Sequence, residues 1–278
     1  MKTIGAGLVV ISLSLLVLGA TSRKTSQTAA AAQGTARTPV IVELFTSEGC
    51  SSCPPADAAL AELEAKQPVA SAEVIALEEH VDYWNNLGWT DPFSAGIWSL
   101  RQRDYARSLE NGSVYTPQMI VDGTSELVGS REREARQGIE RAARQPKTSL
   151  SVAANGEEKE GSRSFNVQVG RLSNAAPGDT PEVWLAVTET QLRSSVTRGE
   201  NAGENLRHAA VVRTLRMLGS AEQNKDTSFA TETNVPLNSS WKRENLRVVV
   251  FVQERKSRRI LGAAVAPFAG QVQAAVAH

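Results

Sequence analysis

The sequence predicts an α/β domain followed by an all-β, sandwich-like domain, and three observations carry this prediction. The length of 278 residues exceeds that of one small domain. Apolar runs of strand length alternate with helix-like stretches between residues 39 and 146. After residue 146, roughly seven short alternating segments follow one another with turn-rich connections, which is typical of a β-sandwich. We therefore place the second domain at residues 147–270.

The first domain has the predicted order strand, helix, strand, helix, hairpin, helix. Its first strand is the apolar run Val40–Phe45. The first helix begins at Pro54, because proline is tolerated in the first turn, where its missing N–H would have no partner. Asp122-Gly123 is a strong hairpin signal between the last two strands. This order predicts one sheet with helices packed against it.

The N-terminus has the pattern of an export signal. Lys2 precedes an apolar stretch from Ile4 to Ala20, and the alanines at 29–32 contain an A-x-A cleavage pattern. We predict a signal peptide over residues 1–32, with an uncleaved membrane anchor as the alternative. Residues 33–38 are then a linker and residues 271–278 a tail. The body of the protein is expected in the periplasm or outside the cell.

The charge balance excludes one class of partner. Lys and Arg total 30 and Asp and Glu total 30, so the formal net charge is zero. A neutral chain has no electrostatic attraction for nucleic acid. Contact with a membrane is expected only through the N-terminal segment.

The chain has two cysteines, Cys50 and Cys53, in a Cys-x-x-Cys arrangement. A disulfide scaffold would need several pairs, and so short a loop adds little stability. The pair lies between a predicted strand and a helix start, where free amides and the helix dipole favour a thiolate. We assign Cys50 as the attacking thiolate, since the earlier cysteine is the exposed one in such pairs, and Cys53 as the resolving one. Glu48 is expected to point to solvent.

Two alternatives to redox chemistry remain open. Soft thiolates suit copper, so Cys50 and Cys53 with His80 would form a metal-handling site. His80 is otherwise a structural hydrogen-bonding residue. The second alternative is a non-catalytic binding protein. In the redox interpretation the disulfide itself is the working group and no further cofactor is expected.

Aromatic residues concentrate in the segment 80–115, which contains all three tyrosines and three of the five tryptophans. Tyr83, Trp84 and Trp89 are candidates for the wall of a substrate groove, because aromatic side chains suit recognition of peptides and small ligands. The alternative is that they form the local core of this insert.

Several motifs resemble those of the exported bacterial proteins grouped as DUF1223. The motifs that carry the resemblance are residues 42–57, 80–84, 87–89, 115–118, 121–123, 203–206, His208 and 211–213. Over residues 38–146 the order of elements also resembles the thioredoxin fold, so the first domain is expected to be thioredoxin-like.

The resemblance to thioredoxin-like proteins implies roles for Thr116 and Pro117. Pro117 would follow a cis peptide bond and face the cysteines, and the backbone of Thr116 would pair with a bound peptide. The implied activity is that of a thiol–disulfide oxidoreductase acting on a protein or small-molecule thiol or disulfide. One departure concerns the buried acid that thioredoxin has on the strand before its cysteines. The corresponding position here is Leu44, and the neighbouring Glu43 faces the other side of the strand.

Overall fold

The computed structural model describes residues 1–2, 37–109, 112–172 and 174–269. The helices in these ranges are α1 (Pro54–Lys66), α2 (Gly96–Ser108), α3 (Glu132–Ala143) and a 3-10 helix (Arg243–Asn245). The strands are β1 (Thr38–Thr46), β2 (Ala72–His80), β3 (Gln118–Val121), β4 (Ser125–Val128), β5 (Leu150–Lys159), β6 (Ser162–Gly170), β7 (Pro181–Glu189), β8 (Leu192–Ser195), β9 (Asn205–His208), β10 (Val211–Ser220), β11 (Thr227–Pro236), β12 (Leu246–Glu254) and β13 (Ile260–Pro267).

One large mixed sheet joins the two halves of the chain. Its strand order is β13-β12-β7-β10-β2-β1-β3-β4. Strand β2 pairs in parallel with β1 and with β10, whereas the other neighbours pair antiparallel. The pairing of Val211 with Glu78 connects the halves. A three-stranded sheet, β11-β6-β5, and the β8-β9 hairpin complete the described strands.

The predicted fold class, a thioredoxin-like α/β domain followed by a separate β-sandwich, is therefore wrong. Strands hold 43% of the described residues and helices 18%, and eight of the strands belong to the single mixed sheet. The sequence suggested a sandwich because about seven short segments with turn-rich connections follow residue 146. Two of these segments, β7 and β12, are almost continuously buried, as expected of central strands covered on both faces. The predicted domain limits remain predictions.

The small sheet does pack face to face against another sheet, but that partner is the end of the large sheet. Phe165 and Val167 of β6 share a buried cluster with Leu185 of β7 and Val250 of β12. A sequence pattern of alternating strands is satisfied equally by this arrangement and by a separate sandwich.

The predicted signal peptide, most of the linker and the predicted tail lie outside the described residues. Within the described part of the chain, no helix is both long enough and apolar enough to cross a membrane.

The alternation along β1 sets the two faces of the sheet at the candidate site. Val42 and Leu44 face a cluster that includes residues of α1 and α3, whereas Ile41 and Phe45 face a cluster that includes Trp98 of α2. Side chains alternate between faces in a strand, so Glu43 lies on the α2 face and Thr46 on the α1 face. The same rule places Glu78 and His80 on the α1 face of β2 and Glu79 opposite.

Candidate functional site

The candidate site lies where β1 and β2 end side by side, with Thr46 paired to His80. The chain leaves β1 through residues 47–53 and enters α1 directly. Cys50 and Cys53 form a disulfide in this loop, with a Cα–Cα distance of 5.4 Å. The Cys53 amide donates to the Cys50 carbonyl at 3.1 Å, so the loop is a tight turn that holds both sulfurs at the helix start.

The start of α1 offers fewer amides to a sulfur than the sequence suggested. Pro54 and Pro55 occupy its first two positions and have no N–H. The amides of Ala56 and Asp57 both donate to the carbonyl of Cys53, at 2.8 and 3.1 Å. The helix dipole still favours a thiolate here, but amide hydrogen bonds from the first turn contribute less to it.

Both cysteines are fully buried, whereas Ser51 and Ser52 between them are exposed. The expected exposure of Cys50 is not observed. A cover loop, residues 196–204 between β8 and β9, closes over this turn. The Asn201 side-chain amide donates to the carbonyls of Glu48 (2.8 Å) and Cys50 (3.0 Å). The Glu200 carboxylate of the same loop accepts a hydrogen bond from the Ser51 amide at 3.0 Å.

Gly199 allows the cover loop to approach the aromatic segment closely. Its φ of +76° lies in the region that favours glycine, and a Cβ there would lie 3.1 Å from the Cβ of Trp89. The indole N–H of Trp89 donates to Glu48 Oε2 at 2.8 Å. The cover loop, Trp89 and the cysteine loop therefore form one connected layer.

Beneath this layer lies a buried acid–histidine chain, formed by Asp91, His80, Glu78, His208 and Glu48. His80 Nδ1 lies 2.7 Å from Asp91 Oδ2, and His80 Nε2 lies 3.3 Å from Glu78 Oε1. His208 Nδ1 lies 2.8 Å from the same Glu78 oxygen, and His208 Nε2 lies 3.0 Å from Glu48 Oε1. All five residues are buried.

The two ends of this chain meet at the cysteine loop. The Glu48 amide donates to Asp91 Oδ2 at 2.8 Å. Glu48 was expected to face solvent, and this expectation is wrong, because its carboxylate is buried between Trp89 and His208. The acid–histidine chain therefore ends two residues from Cys50.

The neighbouring carboxylates raise the pKa of both imidazoles above the usual value. Burial alone would lower the pKa of His80, but the neighbouring Asp91 and Glu78 raise that pKa to about 9. For His208, burial is likewise outweighed by Glu48 and Glu78, which raise the pKa to about 11. Burial would raise the pKa of the Glu78 and Asp91 carboxyls, but their hydrogen bonds and charges with the imidazoles lower it.

Asp57 is a further buried acid, one helical turn after Cys53. Its carboxylate accepts from the Thr46 hydroxyl at 2.6 Å. Burial and the charge of Glu78 raise the pKa of Asp57 to about 7, although His208 opposes this shift. A carboxyl with this pKa exchanges protons near neutral pH.

The other predicted site residues differ in how they relate to this loop. The Thr116–Pro117 peptide bond is cis, as the resemblance implied. The Trp84 indole donates to the Thr116 hydroxyl at 2.8 Å, and a Cβ on Gly49 would lie 3.1 Å from the Cβ of Trp84. Trp84 therefore connects the cysteine loop to Thr116. Tyr83 is 39% exposed and donates to Gln102 on α2 at 3.1 Å.

A second buried ionic cluster occupies the opposite face of the sheet. Arg101 Nε lies 2.5 Å from Glu43 and 3.3 Å from Glu79, and the Tyr105 hydroxyl also donates to Glu43. Burial and the charge of Glu43 raise the pKa of Glu79 well above its usual range. Glu43 thus faces away from the cysteines, as predicted from strand alternation.

The structure regroups the candidate metal ligands. His80 is joined to Glu78 and His208, while the cysteines are paired with each other. Sequence reasoning did not assign Glu78, Asp57, Asp91 or Asn201 to the site. Strand alternation along β2 would have linked Glu78 with His80, but nothing local indicates that the β8–β9 hairpin returns to this loop.

Comparisons with known proteins place most of the described residues in one family. The sequence profile of a family described as "Protein of unknown function (DUF1223)" matches residues 41–253. No protein with a curated description matches significantly.

Solved structures support the fold. The crystal structure of protein AGR_C_4864 from Agrobacterium tumefaciens is 25% identical, with a TM-score of 0.62, covering 85% of this chain and 98% of that one. HBP35 of Porphyromonas gingivalis is 15% identical, with a TM-score of 0.59 over 87% of this chain and 81% of that one, so it shows a similar fold alone.

Proposed function

Taking as premise that the chain belongs to the DUF1223 family of proteins of unknown function, we propose that it is an exported thiol–disulfide oxidoreductase or redox carrier. Cys50 and Cys53 are its working group. The observation that carries this proposal is the disulfide itself, which closes a loop of sequence separation 3 at a helix start. So short a loop restricts the unfolded chain very little, so stability is a poor reason for the bond.

The proposed reaction is thiol–disulfide exchange. In the reducing direction, the Cys50 thiolate attacks a substrate disulfide, forms a mixed disulfide and releases one substrate thiolate. The Cys53 thiolate then attacks the Cys50 sulfur, restores the internal disulfide and releases the second substrate thiolate. The substrate gains two electrons and the protein dithiol is oxidised. In the reverse direction a substrate dithiol reduces the internal disulfide.

Proton transfer in this cycle is assigned to Asp57. Cys50 attacks as a thiolate, so the Cys53 thiol must lose one proton before it attacks, and a group near Cys53 must accept that proton and return it when the dithiol forms again. Asp57 lies one turn after Cys53, is buried and has its pKa raised to about 7. Asp57 thereby takes the role of the buried acid that thioredoxin has on the strand before its cysteines. Here Leu44 at that position has no acid, and Glu43 faces the other side of the sheet.

Access to the sulfurs requires the cover loop to move. Its contacts with the cysteine loop are hydrogen bonds from Asn201 and to Glu200. A peptide or small-molecule substrate can replace such polar contacts at little net cost. Trp84, Trp89, Tyr83, Thr116 and Pro117 are proposed to contact the substrate.

The proposed location is the periplasm or the cell exterior. The N-terminal pattern of Lys2, an apolar stretch and an A-x-A site supports export. An oxidising compartment is also where a Cys-x-x-Cys disulfide persists.

A redox titration tests the proposal directly. The purified chain is equilibrated in buffers of graded thiol and disulfide content, and its thiols are counted by alkylation. Because the sequence has no other cysteine, every thiol reports on this pair. We expect a potential between about −120 and about −270 mV, the range of known oxidoreductases. A potential below about −300 mV, typical of structural disulfides, would contradict the proposal.

A trapping experiment identifies the substrate. Cys53→Ala should accumulate mixed disulfides on Cys50, because the resolving attack is missing. Cys50→Ala is the matched control and should trap much less. Equal trapping by both variants would show that the roles of the two cysteines are not distinct.

A further inference from the structure

We propose that Glu78, His80 and His208 form a binding site for one divalent transition-metal ion, with Zn²⁺ as the best-suited ion. One ligand atom from each residue lies within 4.8 Å of the other two. We take these atoms to be Glu78 Oε1, His80 Nε2 and His208 Nδ1, because the carboxylate oxygen lies 3.3 Å from the first nitrogen and 2.8 Å from the second. Two imidazole nitrogens and a carboxylate oxygen are a common protein ligand set for zinc. All three residues are buried.

Each ligand is already oriented by a second partner on its other side. Asp91 holds His80 Nδ1 at 2.7 Å, and Glu48 holds His208 Nε2 at 3.0 Å. The amide of Ala209 donates to Glu78 Oε2 at 2.8 Å, which leaves Oε1 facing both imidazoles. Carboxylates bonded to the far nitrogen of each histidine are the usual outer shell of zinc sites.

One atom of the group has no hydrogen bond. His80 Nε2 is buried and lies 3.3 Å from Glu78 Oε1 as an ion pair, without a hydrogen bond of good geometry. A buried nitrogen left unsatisfied is costly, and a metal ion that binds both imidazole nitrogens, with release of their protons, would remove that cost. His80 Nε2 is therefore the atom that most directly indicates a ligand.

The surrounding charges favour a cation. Glu48, Glu78, Asp57 and Asp91 bring four carboxyl groups to this buried region, facing two imidazoles. Three protein ligands leave one position of a tetrahedral ion open, as in catalytic zinc sites. The sulfurs are excluded as ligands while they form the disulfide.

The test uses the full chain with its disulfide intact. After treatment with a chelator, the protein is titrated with Zn²⁺, and bound metal is counted by mass spectrometry after gel filtration. Co²⁺ is used as a spectroscopic probe. We expect one equivalent of either ion, with cobalt bands free of thiolate charge transfer, and an unfolding midpoint that rises with the free zinc concentration.

Three variants locate the site. Glu78→Gln and His208→Ala should abolish stoichiometric binding. Asp91→Asn keeps the shape of its side chain and should weaken binding by about tenfold to about a hundredfold. Glu79→Gln is the matched control, because this neighbour faces the other side of the sheet, and it should bind as the unmodified chain does.

Two results would overturn the proposal. One is the absence of saturable zinc and cobalt uptake by the oxidised chain. The other is uptake that Glu78→Gln, His208→Ala and Asp91→Asn all leave unchanged while circular dichroism shows them folded. Binding that survives Cys50→Ser and Cys53→Ser together would support the site, and it would do so whatever the outcome of the redox titration.

Discussion

The side-chain amide of Asn201 donates to the carbonyl of Cys50 at 3.0 Å, although the two residues are 151 positions apart. The same amide reaches the carbonyl of Glu48 at 2.8 Å. One side chain from the β8–β9 hairpin therefore fastens the cover loop to the turn that holds the disulfide.

Replacing this residue should make the disulfide easier to reduce. Asn201→Ala removes two hydrogen bonds worth about 0.5–1.5 kcal/mol each, so opening of the cover loop should become about 5-fold to about 150-fold more frequent. The rate of reduction by dithiothreitol, followed by alkylation, should rise by a similar factor. Asn205→Ala is the control, because Asn205 lies in the same hairpin but bonds only to exposed Ser195. Equal rates in both variants would show that the cover loop does not limit access.

Asp57 should make stability depend on pH in a definite direction. Its pKa is raised from 3.8 to about 7 in the folded protein, by burial and by the charge of Glu78. A raised pKa gives stability that is fully present below the unfolded value and is lost as the pH rises through the folded value. The maximum loss is about 4 kcal/mol between about pH 4 and about pH 8.

Asp57→Asn removes this ionisation while keeping an oxygen that accepts from Thr46. The variant should gain stability relative to the unmodified chain as the pH rises through this window, measured by urea unfolding at several pH values. Asp226→Asn, which changes a carboxylate on a 90% exposed side chain, should show no comparable trend. A stability difference for Asp57→Asn that stays constant with pH would contradict the assignment.

Arg101→Met should strongly destabilise the protein without changing the redox potential. Arg101 is 6% exposed, and its loss leaves buried Glu43 without its cation. Breaking such a pair costs about 3–5 kcal/mol. Arg107→Met on the exposed side of the same helix should cost about 1 kcal/mol or less. Similar unfolding free energies for the two variants, or a shifted potential in Arg101→Met, would refute the separation of the two faces.

Gly129→Ala should crowd the base of the site. An added Cβ would lie 2.7 Å from Leu44 Cδ1 and 2.9 Å from the Cβ of Ala56, in the first turn of α1. Overpacking of this kind costs about 1–3 kcal/mol. Gly138→Ala, in helix α3, meets its nearest atom at 3.5 Å and should instead stabilise by up to about 1 kcal/mol. Thermal unfolding of both variants measures the contrast. An unfolding temperature for Gly129→Ala that does not fall would contradict the close packing around Gly129.

Local sequence signals predicted the elements well and the architecture poorly. The predicted helix start at Pro54 coincides with the start of α1, and the predicted turn at Asp122-Gly123 lies between β3 and β4. Prolines, turn dipeptides and apolar runs act over a few residues, so they define such limits. The pairing of β10 with β2 involves residues far apart in sequence, and no local pattern encodes it.

The features of the candidate site likewise fall into those that local motifs predict and those that depend on distant residues. The cysteine pair and cis Pro117 follow from short motifs and the family resemblance. The burial of Glu48, by contrast, depends on Trp89 and His208, which come from two distant segments. Charged residues favour solvent unless paired, so their burial could not be predicted without knowing their partners.

The seam between β2 and β10 has a practical consequence for dissecting the protein. A fragment cut near residue 146 would retain both sulfurs but lose Asn201 and His208. Glu78 would then lose its His208 partner, and the edge of β2 that pairs with β10 would be open to other chains. Excised halves should aggregate, and only the uncut polypeptide should report the true reactivity of the sulfur pair.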